Sequence, residues 1–113
     1  MSTKYRKQCL VQKVRQGKCN TPQSVLFDYL KYCEEQTEGL NKAQARRIHL
    51  SVFNVILETI CDDLVARCWR NWCRQNINST LSKVRYLSSS QSELNEYLAL
   101  EKKMHLFTHY FLN

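Results

Sequence analysis

The sequence has few of the residues that form sharp turns: its 113 residues include only two glycines and one proline. Antiparallel sheets need a turn about every eight to twelve residues, and glycine or proline usually forms it. Three such breaking residues cannot supply a series of turns of that kind. The shortage argues against a sheet-rich fold and favours long helices with few joints.

Long apolar runs are missing as well. A membrane-spanning helix needs about eighteen consecutive apolar residues, and the sequence has no such stretch. The first residues also lack the apolar core of a signal peptide. We therefore expect a cytoplasmic or nuclear protein, where cysteines stay reduced. The sequence has six cysteines, and we predict free thiols without a structural disulfide. They are Cys9, Cys19, Cys33, Cys61, Cys68 and Cys73.

Signatures of catalysis and of cofactor binding are also absent. The chain contains no glycine-rich phosphate loop, no nucleophile elbow and no HExxH metal motif. The zinc-finger, RNP and GxxG signatures of nucleic-acid binding are missing too. We therefore expect a protein that is not an enzyme and that holds no cofactor.

The sequence does contain clear helical patterning. Asn41 and the Ser90-x-x-Glu93 capping box are helix starts, whereas Gly17 and Gly39 are helix ends that favour left-handed backbone. The pattern predicts an all-α, single-domain bundle of four or five helices around one long central helix. The predicted elements are a basic N-terminal helix 2–16, helix 22–38, the long central helix 42–75, a short helix 81–87 and a C-terminal helix 91–111.

The central helix has the strongest pattern. Residues 48–61 include nine apolar residues in fourteen, and the polar ones form one narrow stripe. A helix that is apolar around most of its circumference is expected at the centre of a bundle. Apolar positions continue through Trp69 and Trp72, so we predict that the helix reaches residue 75. Polar residues at 76–80 then predict a joint before the short helix.

Charge is distributed unevenly along the chain. The net charge is +7, and residues 1–20 and 64–92 contain no acidic residue. Such a distribution favours an anionic partner, namely RNA, DNA or an acidic protein surface. The predicted contacts with that partner are Lys4, Arg6, Lys7, Lys13, Arg15, Arg67, Arg70, Arg74, Lys83 and Arg85.

Three of these arginines, at 67, 70 and 74, share one face of the predicted helix. Guanidinium groups suit phosphate oxygens, and aromatic side chains can stack on bases. Trp69, Trp72 and Tyr86 are close to the arginines in sequence and are the candidate stacking residues. The alternative is that the arginines form a solvated face beside tryptophans that belong to the core.

A metal site is a further alternative. Cys68-x4-Cys73 and His105-x3-His109 each place two ligands on one helical face, and together they could form a tetrahedral N2S2 site. The spacing is unlike that of a zinc ribbon, and the imidazoles point away from the apolar face of the last helix. We therefore predict buried thiols and exposed histidines, with no metal.

Two functions of different classes are compatible with these features. The first is a small basic intracellular regulatory protein that docks on partner proteins through exposed apolar surface and a basic face. The alternative is a helical RNA- or DNA-binding protein that uses the Arg67–Arg85 face and the N-terminal helix. We favour docking because no nucleic-acid signature occurs. A homodimer through the long helix is compatible with either function.

Overall fold

The computed structural model describes residues 3–112, and over that range it is all-α with no strands. The five helices are α1 Thr3–Arg15, α2 Ser24–Gln36, α3 Lys42–Ile60, α4 Arg67–Leu87 and α5 Gln91–Leu112. The predicted fold class is therefore confirmed. Residue 2, where the first helix was predicted to begin, lies outside the described residues.

An antiparallel pair, α3 and α4, forms the centre of the molecule. Arg70 near the start of α4 bonds to Ile60 at the end of α3, and Arg46 near the start of α3 bonds to Ser88 just after α4. Helices α1 and α2 pack against each other and against α3, and α5 packs against both α3 and α4. The result is a slab whose Cα atoms extend over 40 × 38 × 16 Å.

The core includes apolar residues of 48–61, the segment that the pattern places at the centre of the bundle. Ile56 and Ile60 on α3 are fully buried, together with Phe53. They meet Leu26 and Tyr29 of α2 and apolar residues of α4 in one contiguous cluster. The predicted central position of residues 48–61 is therefore confirmed for α3.

The predicted long helix 42–75 is wrong, because the chain turns at residues 61–66 and becomes two helices. The Asp62 carboxylate accepts the backbone N–H of Leu64, and the Asp62 carbonyl accepts that of Val65. These local bonds replace the helical ladder. A continuous helix of 34 residues would span about 50 Å and leave one apolar half unpacked. The turn lets the two halves bury their apolar faces against each other.

The predicted joint at residues 76–80 and the separate helix 81–87 are also wrong, because α4 continues without a break to Leu87. The polar side chains bond within the helix instead of ending it. The Asn76 amide donates to the Trp72 carbonyl at 2.8 Å, and the Ser79 hydroxyl donates to the Asn76 carbonyl at 3.0 Å. Burial of Ile77 and Leu81 against the core then outweighs the low helix propensity of the polar residues.

The predicted local signals at Asn41, Ser90 and Glu93 are confirmed. Asn41 forms a reciprocal capping box with Gln44 at the start of α3. Ser90 Oγ accepts the backbone N–H of Glu93 at 3.1 Å, and a Glu93 carboxylate oxygen accepts that of Ser90 at 3.3 Å. These bonds involve residues only three positions apart, which is why they are visible in the sequence.

The two glycines end helices for different reasons. Gly39 has a positive φ of 77°, as predicted for a left-handed stop. Gly17 follows the end of α1, as predicted, but it does not have a positive φ, so the predicted left-handed conformation is wrong. A Cβ on Gly17 would lie 2.1 Å from the Trp69 indole nitrogen. Glycine is required there because a side chain of α4 comes so close to the backbone.

The prediction of six free thiols is also wrong. A disulfide joins Cys19, in the connection between α1 and α2, to Cys68 at the start of α4, across a sequence separation of 49. The tertiary fold brings these distant residues together, with Cα atoms 5.5 Å apart. Cys9, Cys33, Cys61 and Cys73 are free.

We expect thiol titration of the denatured, unreduced protein to find four reactive groups, and six after reduction. A Cys19→Ser/Cys68→Ser variant should lower the free energy of unfolding by about 4 kcal/mol, because it removes a cross-link that restricts the unfolded chain. Urea denaturation measures this change. Six thiols before reduction would contradict the assigned disulfide.

We expect Gly17→Ala to lower the free energy of unfolding by about 1–3 kcal/mol, since the added methyl group displaces the buried Trp69 ring. Gly39→Ala is the matched control, because nothing lies within 4 Å of its Cβ position and only backbone strain opposes it. Tryptophan fluorescence during urea denaturation should report a changed Trp69 environment for Gly17→Ala alone.

Candidate functional site

Arg70, predicted to bind phosphate, is instead an internal connector. It is only 6% exposed. Its Nε donates to the Ile60 carbonyl at 2.9 Å, and its Nη2 donates to the Phe111 carbonyl at 3.0 Å. Asp63 lies 3.6 Å from the same Nη2. The guanidinium therefore forms hydrogen bonds with carbonyl groups at the C-terminal ends of α3 and α5, and these bonds occupy donors that an external ligand would need.

Arg67 is exposed to solvent, unlike Arg70, but its Nη2 also donates to a helix-end carbonyl, that of Leu112 in α5. A positive charge is favourable at a helix C-terminus, where the unpaired carbonyls carry partial negative charge. Arg74, one turn beyond Arg70, is exposed and forms no ion pair or hydrogen bond with the described residues. The predicted arginine face therefore divides into two connectors and one free guanidinium.

Several other predicted contact residues have partners within the protein. Arg15 forms an ion pair with Asp62 at 3.0 Å. Lys83 lies 2.7 Å from Glu34, and its hydrogen bond lowers the pKa of that carboxyl. Two further arginines lie over aromatic rings, namely Arg6 over Tyr32 at 4.9 Å and Arg85 over Tyr97 at 5.7 Å.

The remaining predicted basic residues do not complete a single surface. Lys7 and Lys13 on α1 are exposed, whereas the side chain of Lys4 lies outside the described residues. Lys83 is sixteen positions beyond Arg67, which is about 24 Å along α4. The structure therefore distributes the predicted set over α1 and both ends of α4.

The three candidate stacking residues have different environments. Trp69 is 2% exposed, and its Nε1 donates to the Val14 carbonyl at 2.8 Å, so it belongs to the core. Trp72 is half-buried and packs edge-on against Phe27, with ring centroids 5.6 Å apart. Tyr86 is 80% exposed and is the only one of the three that is largely open to solvent.

An apolar cleft of about 480 Å³ lies between the end of α3 and the second half of α5. Its exposed lining is entirely apolar and consists of Cys61, Leu106, Phe107, Tyr110 and Phe111. We call these five residues the α5 apolar cleft. Leu106 and Tyr110 are 61% and 76% exposed, respectively.

The aromatic rings of the α5 apolar cleft form a fixed array. Phe111 packs edge-on against Phe107 at 6.4 Å and against Tyr110 at 4.9 Å. The Lys103 ammonium lies 5.5 Å from the centre of the Phe107 ring and places a positive charge at the margin. Burial raises the pKa of the Cys61 thiol, so the thiol is neutral near pH 7. The cleft can therefore bind an apolar group.

The sequence pattern does not reveal this cleft. Phe107 and Phe111 continue the helical spacing of Tyr97, Leu100 and Met104, which predicts one packed face on the last helix, yet the structure leaves both phenylalanines only partly buried. One feature of the sequence does point to the cleft: Leu106 and Tyr110 are four positions apart and lie outside the predicted packed face of the last helix. An apolar pair outside the core stripe indicates a second apolar surface.

The four residues of the alternative metal site, Cys68, Cys73, His105 and His109, do not come together. Cys68 is bonded to Cys19, and Cys73 is fully buried, which raises its pKa to about 12. His105 and His109 are exposed on α5. In residues 3–112, no group of three or more His, Cys, Asp or Glu side chains could hold a metal ion.

Comparison with known proteins gives no relative: no protein-family model, curated protein or solved structure matches this chain. Within residues 3–112, no helix is both long enough and apolar enough to cross a membrane. The fold and the surfaces described above are therefore the basis for any functional proposal.

We expect Arg70→Ala to lower the free energy of unfolding by about 2–4 kcal/mol, because the Ile60 and Phe111 carbonyls lose a buried charged donor. Arg74→Ala, a solvent-exposed arginine one turn away on the same helix, should change it by less than about 0.5 kcal/mol. Urea denaturation of both variants tests the difference. Equal effects would contradict the connecting role of Arg70.

Proposed function

We propose that this protein acts by docking on a partner protein through the α5 apolar cleft. The observation that carries the proposal is the wholly apolar lining of that cleft, with Leu106 and Tyr110 largely exposed. Contiguous exposed apolar surface of this kind is typical of interaction sites. Aromatic residues in a cleft are also the residue types that contribute most to protein–protein binding.

The structure of α5 supports this proposal. Although α5 has 22 residues, only Tyr97, Met104 and Leu112 are buried in it. The helix is held to the rest of the protein at its end by Arg67 and Arg70. Its C-terminal half therefore presents aromatic side chains on a fixed backbone, which reduces the entropy lost when a partner binds.

Charge favours an acidic partner over a second copy of this chain. The protein carries a net charge of +7, and Lys103 borders the cleft. Two copies of this protein that docked through the cleft would bring positive charges close together, and these charges would repel each other. An acidic partner would instead place carboxylates near Lys103, at the edge of the apolar contact, where opposite charges attract. We therefore propose a partner with apolar side chains flanked by carboxylates.

The nucleic-acid alternative receives less support. Arg67 and Arg70 bond to helix-end carbonyls, and Trp69 lies in the core. The exposed basic residues that remain are distributed over the protein, and they account for non-specific attraction rather than a defined site. We propose that this alternative be tested in the same experiment.

The location of the protein stays a prediction. A cytoplasmic or nuclear site was predicted together with free thiols, but Cys19 and Cys68 form a disulfide. Persistent disulfides are typical of oxidising compartments. The disulfide therefore argues against the intracellular part of the prediction, and the docking proposal does not depend on it.

A site-specific photo-crosslinker at position 110 tests the docking proposal. Tyr110 and Tyr86 are exposed to similar extents, 76% and 80%, so position 86 is the matched control. We expect a nuclease-resistant crosslink to a protein from position 110 and not from position 86. With the captured partner purified, Tyr110→Ala should weaken binding about 30-fold or more, as for an aromatic residue that contributes about 2 kcal/mol.

Two results would contradict the proposal. One is equal crosslinking from positions 86 and 110. The other is loss of the crosslinked protein after nuclease treatment, together with binding to mixed RNA or DNA that is tighter than about 100 μM at physiological salt and falls steeply as salt rises. The second result would favour the nucleic-acid function.

A further inference from the structure

A second, polar cleft of about 290 Å³ lies between α4 and α5. Arg74, Gln75 and Asn78 line it from α4, and His105 and Thr108 line it from α5. On α5 these residues lie on the flank opposite Leu106 and Tyr110, so this cleft is separate from the α5 apolar cleft. We call it the α4–α5 polar cleft.

Several donors in the α4–α5 polar cleft have no partner. The Arg74 guanidinium and the His105 imidazole form no hydrogen bond or ion pair with the described residues. The Thr108 hydroxyl is buried and also has no partner among those residues. Because that oxygen is closed to solvent, a ligand in the cleft would reach the exposed Arg74 and His105 donors and not the hydroxyl.

The charge and chemistry of the lining select the class of ligand. No carboxylate lines the α4–α5 polar cleft. Arginine has five N–H donors and no acceptor, whereas histidine and the two amides each offer at least one donor. A cation would face the Arg74 charge, but an oxygen-rich anion would accept bonds from all sides of the cleft.

We propose that the α4–α5 polar cleft binds a small oxyanion, with phosphate preferred to carboxylate. Donors from two helices approach the ligand from different directions, which suits a tetrahedral group with several terminal oxygens better than a planar group with two. The buried apolar residues Ile77 and Met104 also line the cleft and limit water around the ion pair. Arg74 is thus a binding residue, in contrast to its neighbour Arg70.

Titration of the disulfide-bonded, 113-residue protein with inorganic phosphate tests the proposal. Nitrogen-15 NMR at constant ionic strength should show saturable shifts of the backbone amides at 74–78 and 105–108, with chloride producing none. Arg74→Gln should weaken binding about tenfold or more, because it removes a charged donor. His105→Ala, which removes the exposed donor that α5 contributes, should also weaken it.

Arg47→Gln is the matched control, because Arg47 is an exposed arginine on α3 that does not line the cleft. It should leave phosphate affinity unchanged. Acetate that binds as tightly as phosphate would overturn the preference and assign the cleft to carboxylates. Shifts that do not saturate, or an equal loss of affinity in Arg47→Gln, would show only diffuse attraction to a basic surface and would overturn the site.

Discussion

The buried guanidinium of Arg70 connects three parts of the chain that are far apart in sequence. It donates to the last turn of α3 and to the last turn of α5, and it lies beside Asp63 in the connection between α3 and α4. Helix-end carbonyls have no partner within their own helix, so burying them requires a donor from elsewhere. Arg70 provides that donor, and it thereby fixes both the reversal of the chain and the position of α5.

The connection between α1 and α2 is fixed to the start of α4 by a second set of contacts. The Cys19–Cys68 disulfide, the hydrogen bond from Trp69 to Val14 and the close approach of Trp69 to Gly17 all lie there. A slab of this thickness buries less apolar surface than a sphere of the same mass, so cross-links of this kind add stability that a small core provides only in part.

Both proposed sites depend on the incomplete packing of α5. Residues on the inner face of α5 pack against the core. Each of its two flanks borders a solvent-accessible cleft, one beside the end of α3 and the other beside α4. One flank is aromatic, and the other carries polar donors without partners. A single helix can present two chemically different surfaces because successive residues point about 100° apart around its axis. The arginines that hold its end keep both surfaces in place.

Local features were determined by the sequence itself: the all-α class, the apolar centre at residues 48–61, the stop at Gly39 and the caps at Asn41 and Ser90. Each depends on residue types or on bonds within a few positions. Tertiary structure alone decided the turn at 61–66, the Cys19–Cys68 disulfide, the roles of Arg70 and Arg74, and the exposure of Tyr110. These features depend on which distant segments of the chain come into contact. Arg70 and Arg74 are one turn apart and look alike in the sequence, but the tertiary structure buries Arg70 against the end of α5 and leaves Arg74 exposed to solvent.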